Sequence, residues 1–108
     1  MDEGEYQLLA DACLARVADW LEDFDADEVD YSTPDGVVTI EFSDGARYVL
    51  NRQGGAQQMW FAAVARAWHY DWDPERKTWV DDRDGHDLYE NVARAVGEKL
   101  GRGVGSPG

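Results

Sequence analysis

Apolar positions recur at helical spacing over the first quarter of the chain. Tyr6, Leu9, Ala10, Cys13, Val17, Trp20, Leu21 and Phe24 follow an i, i+3, i+4 rhythm and predict an amphipathic helix from about Glu3 to Phe24. At roughly 100° per residue, Asp11, Asp19, Glu22 and Asp23 project to the opposite side. The period then changes to two. Val29–Ser32 reads as a short strand, and Pro34-Asp35-Gly36 as a turn. Val38, Ile40 and Phe42 alternate against Thr39 and Glu41, which marks a half-buried strand. Ser43-Asp44-Gly45 closes a hairpin, and Arg47–Arg52 returns with Tyr48 and Leu50 inward. After a loop at Gln53–Ala56, the stretch Gln58–Ala63 turns Met59, Phe61 and Ala63 inward and Gln58, Trp60 and Ala62 outward. Trp68, Tyr70 and Trp72 then alternate against His69 and Asp71, and Thr78–Val80 makes a last short strand. Asp87 is placed to cap a second amphipathic helix, with Leu88, Val92, Val96 and Leu100 as its stripe.

A helix, a run of five or six strands and a helix imply an α+β fold. Short links favour antiparallel neighbours. The expected architecture is a two-layer α/β sandwich, with two helices on one face of a five- to six-stranded, mainly antiparallel sheet. The other face meets water and carries Asn51, Trp60, His69 and Asp71. Residues 1–100 read as one domain. Residues 101–108 (Gly-Arg-Gly-Val-Gly-Ser-Pro-Gly) read as a flexible tail with no core element.

Charge narrows the function. The formal net charge of -13 disfavours nucleic acid and anionic membranes as partners and favours a basic protein surface or a cation. The single cysteine, Cys13, excludes an internal disulfide and a self-held iron–sulfur cluster, and its place on the apolar stripe makes it core filler. No apolar run is long enough to span a bilayer, and no leader pattern is present, so a soluble cytoplasmic protein is expected. No nucleophile–base set stands out around Ser32, Ser43 or Ser106. Gly54-Gly55 does not link a strand to a helix as a phosphate cradle would. A non-enzymatic role is therefore expected, with no organic cofactor.

The acidic residues are concentrated. Seven of the twelve residues from Asp19 to Asp30 are carboxylates, and no Lys or Arg occurs between Arg16 and Arg47. Self-repulsion of this kind raises the free energy of the compact state unless a cation or basic partner offsets it. Carboxylates are hard ligands suited to Ca²⁺, Mg²⁺, Mn²⁺ and iron, and the stretch lacks the thiolate and imidazole that select zinc or copper. Side chains on a helix face point outward, so weak, multi-site binding is expected. The metal candidates are Asp11, Asp19, Glu22, Asp23, Asp25, Asp27, Glu28 and Asp30. Trp60, left outward by Met59 and Phe61, is a candidate interface anchor. His69 beside Asp71 is a weaker metal candidate, and His69 is not expected to converge with His86. Asp81-Asp82-Arg83-Asp84-Gly85 reads as a turn held by Asx-type hydrogen bonds.

Several of these stretches together carry a family likeness. They are the acidic first helix and loop, Gly36-Val37-Val38-Thr39-Ile40, Asn51-Arg52-Gln53, Gln58-Met59-Trp60-Phe61-Ala62, His69-Tyr70-Asp71, and Trp79-Val80 leading into Asp81–Gly85. The sequence resembles frataxin, most closely the bacterial CyaY branch, over roughly Asp2 to Leu100. The resemblance implies weak iron binding on the acidic ridge. It also implies docking on the cysteine desulfurase and the scaffold protein of iron–sulfur cluster assembly. On that basis Asp19, Glu22 and Asp23 would serve both iron and desulfurase, while Asn51, Gln53 and Trp60 would form the sheet-face contact. A monomer, with iron-dependent oligomers in reserve, is implied. The alternatives are a ferroxidase or iron-storage protein, and an acidic decoy occupying a basic protein. The sequence departs from the family pattern at Gly54-Gly55-Ala56, where relatives commonly carry a proline.

Overall fold

The computed structural model describes all 108 residues. Helix α1 (Glu3–Leu21) is followed by strands β1 (Val29–Ser32), β2 (Val37–Phe42), β3 (Arg47–Gln53), β4 (Gln58–Ala63), β5 (Arg66–Asp73) and β6 (Thr78–Asp81), and then by helix α2 (Leu88–Leu100). The strands form one sheet in sequence order, and every neighbouring pair is antiparallel. This follows from the short links, which admit hairpins and not crossovers. A 3₁₀ turn at Gly54–Ala56 joins β3 to β4. The β4–β5 hairpin turns at Val64, a β-branched residue in the left-handed region (φ 58°). No helix is long and apolar enough to cross a membrane.

Burial follows the two periods. Along β2 the odd residues are half-exposed and Val38, Ile40 and Phe42 are buried, and β4 buries Met59, Phe61 and Ala63 in the same way. These side chains meet Tyr6, Ala10, Cys13, Leu14, Val17 and Leu21 of α1 and Leu88, Val92 and Val96 of α2 in one core. Each fully buried aliphatic or Phe side chain contributes roughly 1.5–3 kcal/mol to stability. Trp79 of β6 is buried and meets the Tyr6 ring edge-on at 6.1 Å. Both helices start on aspartate caps: Asp2 accepts from the Glu5 amide (2.8 Å), and Asp87 from the Glu90 amide (3.0 Å).

Three details differ from the sequence reading. Helix α1 ends at Leu21, and Glu22, Asp23 and Phe24 continue as a tight turn with bonds to the carbonyls three residues back. Leu14, outside the expected stripe, is buried, whereas Trp20 and Phe24 are only half-buried.

The third difference is the C-terminus. It forms no helix or strand, but it packs on the domain instead of leaving it. Gly101 ends α2 in the left-handed region (φ 75°), with Gly101 N–H on the Glu98 carbonyl and Arg102 N–H on that of Gly97. The chain then runs back along α2. The Arg102 carbonyl lies where a Gly97 Cβ would come within 2.7 Å of it, and a Cβ on Gly108 would come equally close to the Tyr89 ring. The Gly105 carbonyl accepts from Trp20 Nε1 (2.7 Å), and Arg102 pairs with Glu28. Glycine content reads as flexibility in sequence, but here it permits backbone contact with a helix.

Candidate cation-binding ridge and sheet face

Helix α1 presents Asp11 and Asp19 on its exposed side, the following turns carry Glu22, Asp23, Asp25, Asp27 and Glu28, and Asp30 lies in β1. The ridge expected from sequence is present in outline, but its two ends are neutralised. Asp11 accepts from Arg52 Nη1 at 2.6 Å and from Gln7 Nε2 at 3.0 Å. Arg52 also reaches Asp35 at 3.4 Å. At the other end Glu28 takes a two-pronged bond from Arg102, at 2.9 and 3.0 Å, which holds its carboxyl below the usual glutamate range. The sequence places no base near the Asp19–Asp30 stretch, yet the fold brings Arg52 to Asp11 and Arg102 to Glu28. The partners in these pairs lie 41 and 74 residues apart in sequence.

Apart from those two, Asp19, Asp23, Asp25, Asp27 and Asp30 have no Lys or Arg within ion-pair distance. Glu22 accepts from the Tyr31 hydroxyl, and that bond pushes the phenol pKa up. Asp25 accepts from the Asp27 amide and Asp30 from the Tyr31 amide, which fixes the loop. The last turn of α1 contains no basic residue, so Asp19 and its neighbours face the negative end of the helix dipole. The ridge carboxylates do not converge into a cage. Three ligand atoms lie within 4.8 Å of one another only at Asp81, Asp84 and His86.

The second candidate surface is the open face of the sheet. Asn51, Trp60 and His69 are cross-strand neighbours, and Gln53, Gln58 and Asp71 form the adjacent row. The Trp60 ring stacks on His69 with centroids 4.3 Å apart and donates from Nε1 to Gln58 Oε1 at 3.0 Å. Gln58 in turn donates to Asp71 (3.0 Å) and Asp82 (3.2 Å). Trp60 is thus half-exposed and held in one orientation. The Asn51 side-chain amide bonds the Arg52 carbonyl at 3.1 Å.

At the β6–α2 turn Asp81 accepts from the amides of Arg83 and Asp84, the Asx-type turn read from sequence. His86 is tied at both ring nitrogens, to Asp84 through Nδ1 (2.6 Å) and to the Tyr70 hydroxyl through Nε2 (2.8 Å). Bonds from the His86 amide and ring lower the Asp84 pKa. Asn91 donates to the same Tyr70 oxygen at 2.8 Å and accepts from Arg94 at 2.9 Å. Sequence reasoning missed this chain of bonds, since Tyr70 reads as an ordinary inward strand position and Asn91 lies outside the apolar stripe of α2. His69 and His86 border one cleft of about 300 Å³ with Asp81, Asp82 and Asp84, closer company than their positions in the chain indicate. The rings themselves are engaged separately, one by Trp60 and one by Tyr70.

Comparison with known proteins identifies the family to which this fold belongs. The family model described as "Frataxin-like domain" matches residues 1–102. The iron-sulfur cluster assembly protein CyaY of Dechloromonas aromatica is 36% identical over 104 residues, covering 96% of this chain and 97% of the relative. That of Thioalkalivibrio sulfidiphilus is 32% identical over 105 residues, covering 96% and 98%. Among solved structures, the frataxin of Psychromonas ingrahamii superposes with a TM-score of 0.85 at 27% identity, covering 96% of both chains. A trimeric frataxin of Saccharomyces cerevisiae in a ferrous complex superposes with a TM-score of 0.75 at 26% identity, covering 87% of both. The chain belongs to the frataxin-like family.

Proposed function

We propose, with that membership as premise, that the chain is a non-enzymatic, iron-responsive adaptor of iron–sulfur cluster assembly. The acidic ridge holds Fe²⁺ or Fe³⁺ weakly on Asp19, Glu22, Asp23, Asp25, Asp27 and Asp30, with Asp11 and Glu28 as flanking ligands only when their arginines let go. The same ridge docks on an Arg- and Lys-rich surface of the cysteine desulfurase. The sheet face around Asn51, Gln53 and Trp60 takes the scaffold protein. The protein acts in the cytoplasm as a monomer, and iron on the ridge biases docking by occupying the charges the desulfurase would use.

The observation that carries this reading is the set of six carboxylates with no basic partner, which begins at the negative end of α1. That placement opposes both the helix dipole and mutual repulsion, so the folded chain is less stable than the same fold with a mixed surface. A cationic occupant removes both penalties. Outward-facing carboxylates that do not converge support exchangeable cargo over a resident metal. The experiment is a pull-down of the desulfurase by the wild type and by D19K/E22K/D23K. Capture should fall at least tenfold in the triple variant and fall steeply with salt in the wild type. Equal capture by the two proteins would refute ridge docking.

A further inference from the structure

The C-terminal strap touches the ridge at its first residue, and that contact has the chemistry of the partner contact in miniature. An arginine fork closes on Glu28 while a glycine carbonyl accepts the Trp20 indole N–H near the end of α1. Both contacts belong to one extended segment, Arg102–Gly108, laid over α2 by the reversal at Gly101. Gly97 is what lets it lie there: the Arg102 amide bonds the Gly97 carbonyl at 3.0 Å, and the Arg102 carbonyl fills the space a Gly97 side chain would need. Val104 packs on the same bare patch of helix.

We propose that residues 102–108 are a built-in occupant of the acidic ridge, which a cation or an arginine-bearing partner must displace to engage its Glu28 end. This rests on reading the ridge as the binding surface, and adds a regulatory step to it. A cation on Asp27 and Glu28 competes with the Arg102 guanidinium for the same carboxylate oxygens. Binding there and closure of the strap are therefore linked: each weakens the other by the same factor. The affinity of the Glu28 end is reduced by the fraction of molecules in which the strap is open, whereas Asp19 and Asp23, which the strap does not pair, bind unhindered. Release uncovers the Trp20 indole and the α2 surface around Gly97, so an occupied ridge also presents a new apolar strip beside it.

The test is a Mn²⁺ titration of the ¹⁵N-labelled full chain, following paramagnetic broadening of individual amides in the wild type, R102A and G97A. G97A keeps the arginine but lifts the strap, and alanine is the better helix former, so α2 is preserved. In both variants the amides of Asp27 and Glu28 should broaden at about three- to fivefold lower Mn²⁺, the size of one exposed ion pair. Those of Asp19 and Asp23 should broaden at unchanged Mn²⁺. In the wild type the amides of Gly103–Gly108 should move to unstructured positions as the Glu28 signal is lost, a readout that needs no variant. Superimposable titrations, or a strap that stays docked while the ridge is saturated, would overturn the proposal and leave the ridge intact. No broadening anywhere from Asp19 to Asp30 would overturn the ridge reading along with it.

Discussion

Tyr70 is fully buried, and its hydroxyl joins β5 to both the β6–α2 turn and α2. Replacing it with phenylalanine leaves the ring's packing but strands the Asn91 amide, itself buried, and the His86 ring nitrogen. An orphaned buried polar group costs about 1–3 kcal/mol. Y70F should therefore lower the unfolding free energy by that amount, read as a lower urea midpoint at unchanged slope, and leave the ridge's Mn²⁺ titration as it was. Single residues differ in how far sequence exposes their roles. The outward aim of Trp60 was legible, because Met59 and Phe61 take the inward positions of the same strand. The Asp11–Arg52 pair was not, because the two meet only when β3 lies beneath α1. The burial of Cys13 was legible from its stripe, and in the structure burial pushes its thiol up to about 12, leaving it unreactive at neutral pH.

At the scale of elements, α1 is a helix with the wrong charge at its end. It opens on Asp2, Glu3 and Glu5, which suit the positive pole, and closes with no basic residue in its last turn. Asp19→Lys should stabilise the protein by roughly 0.3–1 kcal/mol through the dipole, seen as a raised denaturation midpoint, while weakening Mn²⁺ binding. A gain in stability with loss of binding is the signature of a surface retained for its ligand. The strap responds to acid. Because Arg102 lowers the Glu28 pKa, the pair's contribution is complete above the ordinary glutamate value of about 4.3 and is lost as pH falls through the lowered one. The Gly103–Ser106 amides should become mobile as acid takes the pH below the ordinary glutamate range, while R102A shows the mobile spectrum at neutral pH already. The two amphipathic stripes and the alternating strands made the helices and the sheet legible. The strap was not, since its contacts depend on what Gly97 lacks.

For the molecule as a whole, six of the ten basic side chains pair with carboxylates of their own chain. The remaining negative charge is poorly compensated, and screening lowers its mutual repulsion. Raising NaCl from 10 to 200 mM should raise the thermal midpoint by on the order of 5 °C. MgCl₂ should do so at lower concentration, and a flat response in differential scanning calorimetry would count against a strained surface. The layer arrangement was legible because local signals alone fix a sheet of consecutive hairpins. The neutralised ends of the ridge were not, because they are set by how the layers close.

That strand order has a kinetic corollary. Each strand pairs only with the one before and after it, so every ladder closes a loop of a few residues, and the sheet can zip from any hairpin outward without a long search. Only the docking of the two flanking helices, with the strap that follows α2, joins distant parts of the chain. Their collapse onto a preassembled meander, not the pairing of strands, should set the refolding barrier.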